Sequence, residues 1–296
     1  MKPAGADSLP ELAREGGGAF SFVQALAAEL SRGHPELPAF PVVVMRIQQT
    51  LKDNNADLGR IVRLIGSEPV IAAQVMRMAS SAALNPSRSA VPDLRAAIAR
   101  VGLDAVRTAA IAFAMRQLRD APALRGLAKP LGALWQRSVQ MASLCYVIAQ
   151  RFTRVNADAA MLAGLLQGVG RLYILARASR HPELFADDQV YRSIEKTWHL
   201  GIATALLENW GIAPEIVQAV RDSEDFESDT RGRALADVLM VATLLAQFDG
   251  EPGTLESQVR SAPPCQRLQL DYGACEAFMK ESAHEIAALR ETLASS

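Results

Sequence analysis

From Ser21 onward the apolar residues of this chain recur three and four apart in nearly every segment, and no stretch alternates apolar with polar. A period of 3.6 gathers such residues on one face of a helix, whereas a half-buried strand needs a period of two. That pattern restricts the chain to an all-α fold of many packed helices, each of about 10–18 residues, joined by short turns. Phe22, Leu26 and Leu30 make one stripe, with Ser21 expected as its cap and Gly33 as its stop. Leu58, Ile61, Val62 and Ile65 make another behind Asp57, a good N-cap. Pro41, Pro69 and Pro214 suit first helical turns, Asp93 suits a cap, and Gly102 and Gly211 suit helix ends. Ser80-Ser81 is expected to terminate its helix, and "HLGIATALLENWG" is expected to start at His199.

Half of the 296 residues are hydrophobic, enough for a real core, and 31 basic against 32 acidic residues leave a formal charge of -1. A protein gripping nucleic-acid phosphates normally shows a basic excess, so nucleic acid is not the expected partner. Cys145, Cys265 and Cys275 form no CxxC pair and no cysteine–histidine cluster, which points away from disulfides and structural zinc and toward a reducing cytoplasm. "MKPAGADSLPELAREGGG" lacks the apolar centre of a signal peptide, and no uninterrupted apolar run reaches the roughly 18 residues of a membrane span. A P-loop, a glycine-rich dinucleotide motif and a nucleophile elbow are all absent.

One helix contains an anomaly. "MLAGLLQGVGRLYIL", Met161 to Leu175, reads as buried on most sides, yet its centre holds Gln167-Gly168 and then Gly170. A glycine inside a helix costs about 1 kcal/mol relative to alanine. A glutamine among apolar neighbours must find hydrogen-bond partners. Gly164 and Gly168 share a face and suit the close approach of another helix; Gly170 is not explained by packing in the same way.

Around that helix, Trp135-x-Arg137-Ser138, "LAGLLQGVGRLYI" and "HLGIATALLENWGIAPEIVQAVRDSE" follow in order. Ahead of them stand "LPAFPVVVMRIQQTL", "DLGRIVRLIGSEPVIAAQVMRMASSAAL" and "DLRAAIARVGLDAVRTAAI". From about Glu36 to Gln247 the chain resembles the HDOD domain, the HD-related output domain of bacterial signalling proteins and kin to the HD and HD-GYP phosphohydrolases. The resemblance implies an HD-like multi-helix fold, with an N-terminal helical subdomain packed on a degenerate HD-type domain. The expected organisation is a flexible tail over 1–19, the first subdomain over 20–125, the second over 126–250, and a C-terminal loop and helix over 251–296.

Catalytic relatives hold divalent metals with histidines and an adjacent His-Asp pair, and the metal activates water. Carried onto this chain, the early histidine position falls on Arg137, and the His-Asp pair on Gln167 and Gly168. The distal pair falls within Asp222-Ser223-Glu224, and only His199 remains as a vestigial ligand position. One imidazole cannot fix such a metal, and an arginine repels it. No catalytic residue, no metal and no cofactor are therefore expected.

The resemblance instead implies regulation without chemistry, through a signalling partner (sensor kinase, receiver or cyclic-dinucleotide enzyme) or an anionic small ligand. The alternatives are a residual metal-dependent phosphohydrolase and a DNA-binding regulator acting through 94–116, where Arg95, Arg100 and Arg107 flank a helix-turn-helix-like spacing. Trp135 and Trp210 are expected as core anchors, His199 as a capping or hydrogen-bonded residue, and Gln167 as bonded to its neighbours. Arg137 is expected to balance Glu224 or hold a phosphate or carboxylate. "DSEDFESDTRGR" reads as a solvated loop, and the last amphipathic helix as packing internally or on a second copy.

Overall fold

The structure, a computed structural model, describes residues 17–31, 42–53, 57–85, 87, 89–226, 234–248 and 251–294. It is all-α and HD-like, and among the described residues no strand occurs. Of the expected tail over 1–19, residues 17–19 belong to the first helix, while residues 1–16, Gly33, Pro41 and the stretch 227–233 lie outside the described residues.

Helices α1 (Gly17–Ser31), α2 (Val42–Lys52), α3 (Leu58–Gly66), α4 (Pro69–Ser80) and α5 (Leu94–Arg119) form the first half. Their ends follow local chemistry. Asp57 accepts from the Arg60 amide at 2.6 Å and Asp93 from the Ala96 amide at 2.8 Å, which satisfies donors that a first turn leaves bare. Gly102 bends α5 with φ of 78°, a left-handed value that favours glycine. Ser80 ends α4 as expected, but Ser21 caps nothing. It lies inside α1, which begins at Gly17, and its hydroxyl donates back to the Gly18 carbonyl.

The second half contains α6 (Ala128–Phe152), α7 (Ala157–Leu166), α8 (Val169–Ala178), α9 (Asp188–Trp210), α10 (Pro214–Asp222) and α11 (Ala234–Gln247). Short α12 (Pro252–Ser261) and α13 (Pro263–Arg267) lead to α14 (Tyr272–Ala294). α6 and α7 pack along each other at the centre, with α5, α10 and α11 also against α7. α14 packs inside the chain, on α6 and α4. Trp135 and Trp210 are buried core anchors, as expected. The three cysteines are free and buried. Ala157–Ala178 is by length and composition apolar enough to cross a bilayer, but 83% of its most apolar window is buried against other helices of the fold.

α9 starts well before the expected position. Asp187 accepts from the Gln189 and Val190 amides, so the helix runs from Asp188 and places His199 mid-helix, not at a start. Gly211 closes it with φ of 64°. The DNA-binding reading also meets the structure here. Arg107 donates to Asp104 at 3.0 Å and to the Leu51 carbonyl at 2.8 Å, while Arg100 donates to the Ser89 carbonyl at 2.9 Å. Both guanidiniums have intramolecular partners, and the apolar side of α5 is core.

Candidate functional site

The anomalous stretch is two helices. α7 ends at Leu166, Gln167-Gly168 form a turn with helical dihedrals, and α8 begins at Val169. Each glycine now has a tertiary reason. A Cβ on Gly164 would lie 2.7 Å from the Met141 carbonyl oxygen, so this glycine lets α6 and α7 touch. A Cβ on Gly168 would meet only the Ser138 hydroxyl, at 3.1 Å. Gly170, which the sequence left unexplained, is the tightest of the three. A Cβ there would stand 2.8 Å from the His199 carbonyl carbon, 3.0 Å from the Ala203 amide nitrogen, and closer still to the His199 carbonyl oxygen. Packing alone does account for Gly170, because α8 crosses α9 on its bare backbone.

That crossing brings the candidate residues together. Arg137, Gln167, Gly168, Ser223 and Glu224 line one cavity of about 30 Å³, room for little more than a water, together with Leu134, Ser138, Arg171, Leu200 and Thr243. His199 packs behind it, 1% exposed. Trp135 is not in the lining; it is core.

The residue that organises the site is Arg171, which the sequence reading missed. Its Nη2 donates to Glu224 Oε1 at 2.7 Å and lies 3.2 Å from His199 Nε2. His199 Nε2 in turn lies 3.2 Å from Glu224 Oε2. The imidazole tautomer decides whether Nε2 accepts from Arg171 or donates to Glu224, and Nδ1 is buried with no partner among the described residues in either case. Burial alone would raise the Glu224 carboxyl, but the hydrogen bond and charge of His199, then Arg171, hold it below the usual carboxylate range. A signal for Arg171 existed: it is the one charged residue in "MLAGLLQGVGRLYIL", one helical turn beyond Gln167.

Three expectations need correction. Arg137 does not pair with Glu224, because Arg171 already occupies that carboxylate. Arg137 has no hydrogen-bond or ion-pair partner among the described residues; its removal from water and the Arg171 charge lower its pKa, with Glu224 opposing. Gln167 makes no side-chain hydrogen bond among the described residues, and it lines the water-sized cavity instead. The "DSEDFESDTRGR" segment is not simply solvated, since Ser223 is buried and Glu224 reaches into the site.

A metal does not fit this set. Guanidiniums have no lone pair to give, Gly168 has no side chain, and the Ser223 hydroxyl, which donates to the Val220 carbonyl at 2.8 Å, is at most a weak neutral ligand. Gln167, Ser138 and Thr243 offer only neutral oxygens, and His199 and Glu224, the imidazole and carboxylate at the site, already share a cation in Arg171. Among the described residues no three His, Cys, Asp or Glu side chains converge as a ligand set.

A family model described as HDOD domain matches residues 37–226. Among solved structures, a candidate metal-dependent phosphohydrolase from Shewanella amazonensis superposes with a TM-score of 0.70 at 23% identity, covering 93% of this chain and 99% of its own. An HDOD domain protein with unknown function from Geobacter sulfurreducens gives 0.64 at 23%, covering 91% and 97%. A candidate signal transduction protein from Marinobacter aquaeolei gives 0.59 at 22%, covering 93% of this chain and 66% of its own. No curated protein matches the chain.

Proposed function

This chain belongs to the HDOD family, and from that premise we propose that it is a non-catalytic signal-transduction protein acting through a protein partner or a small ligand. The observation that carries the reading is Arg171, whose guanidinium contacts both His199 Nε2 and Glu224. An arginine does not deprotonate near neutral pH, so it neutralises the carboxylate permanently and offers no Lewis acid for phosphoryl chemistry. Arg137, an exposed residue, adds a second cation at the same cavity, and like charges oppose a divalent metal further. The Marinobacter neighbour is described as a signal transduction protein, which agrees with this role. The partner is of the kind that signalling chains supply: a sensor kinase, a receiver or a cyclic-dinucleotide enzyme.

The test is elemental analysis of protein purified without chelator, with hydrolysis of a bis-nitrophenyl phosphodiester assayed in added Mn²⁺. The expected outcome is neither stoichiometric metal nor turnover. Stoichiometric metal with turnover, both lost in His199→Ala, would show an enzyme and refute the reading.

A further inference from the structure

Beside the water-sized cavity lies a larger groove of about 390 Å³, and Arg137 and Leu134 line both. One wall is the start of α6, with Leu127, Pro130 and Ala133; the other is the start of α9, with Asp188, Tyr191 and Glu195. Leu175 of α8 and Phe185 complete it. Phe185 is 40% exposed, unusual for a large apolar side chain in this fold, and its ring lies 5.3 Å from that of Tyr191 at 37°. An aromatic pair open to a groove offers a stacking surface for a planar group.

The charges in the groove are arranged at two places. On the α6 wall Arg137 is a cation without a partner among the described residues, and Arg171 behind it is already matched by Glu224. That leaves Arg137 as the guanidinium of this wall that no carboxylate contacts among the described residues. On the α9 wall Asp188 is tied to Arg192 at 2.5 Å, whereas Glu195 has no partner among the described residues and can only accept. A complementary ligand therefore carries an anion, a flat ring, and N–H donors on that ring. The volume lies within the range of small-ligand sites and suits a molecule of mononucleotide size.

The geometry points to a purine nucleoside monophosphate as the occupant, its phosphate on Arg137, its base against Phe185 and Tyr191, and its N–H edge toward Glu195. A planar guanidinium matches phosphate oxygens in pairs. A carboxylate matches the two adjacent N–H donors of guanine better than the single amino group of adenine, so GMP is the probe of choice. This rests on the non-catalytic reading only in that the nucleotide is held and not cleaved.

The test is calorimetric titration of the full chain with GMP, AMP, guanosine, inorganic phosphate and tryptophan, with phosphate release followed in parallel. GMP is expected to bind tightest, with guanosine and phosphate each at least tenfold weaker. Arg137→Ala and Phe185→Ala, both on exposed side chains, should each weaken GMP at least tenfold with the melting temperature kept. Glu195→Gln should erase the preference for GMP over AMP. No GMP binding, binding indifferent to Arg137→Ala, or tighter binding of tryptophan overturns the proposal and leaves the non-catalytic reading standing. Binding with release of phosphate would preserve the site and refute that reading instead.

Discussion

Replacing Gly170 by alanine tests the packing at the centre of the site. In an isolated helix the change should stabilise by about 1 kcal/mol, because alanine loses less backbone entropy. Here the new methyl would stand 2.8 Å from the His199 carbonyl carbon and 3.0 Å from the Ala203 amide, both backbone atoms of a buried helix. A side chain could rotate away; a helix backbone must translate. Overpacking of this kind costs about 1–3 kcal/mol, and rigid neighbours place it at the upper end. The net loss is then about 2 kcal/mol, and at about 2 °C per kcal/mol for a large domain the melting temperature should fall by about 4 °C. Thermal unfolding followed by far-ultraviolet circular dichroism measures it. Gly168→Ala is the control, since its methyl would meet only the Ser138 hydroxyl, and it should melt at or above the wild type. Gly164→Ala, against the Met141 carbonyl, should behave like Gly170→Ala. A Gly170→Ala variant as stable as wild type, or a Gly168→Ala variant equally damaged, would refute the argument.

Glu224 sits below the usual carboxylate range, so its contribution is present above the unfolded value near ~4.3 and is lost as pH falls through the lower folded value. Wild type should therefore lose stability in acid more steeply than Glu224→Gln, and parallel curves of denaturation midpoint against pH would contradict this. Asp158 shows the opposite sign: burial first, then Asp104, push its carboxyl up to about 6. The folded state then binds the proton more tightly than the unfolded chain, so the ionised group is a burden above the folded value and none below about pH 4. Asp158→Asn should raise the melting temperature at about pH 7.5 and leave it unchanged at about pH 4; an equal gain at both would exclude the carboxyl charge as the cause. Gln167→His with Gly168→Asp restores two ligand types but keeps both guanidiniums, and should gain no stoichiometric Mn²⁺ by equilibrium dialysis unless Arg171 is also replaced.

The helical nature of the chain was legible because its signals are local. Asp57, Asp93 and Gly211 cap or close helices through contacts within a turn, and a single sequence carries all of that. The start of α9 was hidden because "DQVYRSIEKTW" is mostly polar on its outer face, and its apolar residues belong to the groove and the core. The site was half legible. Family spacing drew Arg137, Gln167, Gly168, Ser223 and Glu224 to one place, and the structure has them around one cavity. It could not assign the ion pair, because spacing along a chain does not say which of two arginines reaches a carboxylate. Gly170 failed for a related reason: the atoms it makes room for belong to His199 and Ala203, on another helix.

The position of Arg171 also suggests why the helical frame can stand without a bound ion. A buried imidazole and a carboxylate placed together need a positive charge between them, or the carboxylate bears an uncompensated desolvation cost. In a metal-dependent relative the ion supplies that charge. Here Nη2 of Arg171 lies 2.7 Å from Glu224 Oε1 and 3.2 Å from His199 Nε2. The charge is now covalently attached to α8, so it cannot dissociate, and α8, α9 and the end of α10 stay linked whatever the metal supply. On the proposed non-catalytic reading, no open coordination position is left at which water would be activated. The same residue thus balances the buried carboxylate, and it leaves Arg137, the second cation at the cavity, without an ion-pair partner among the described residues.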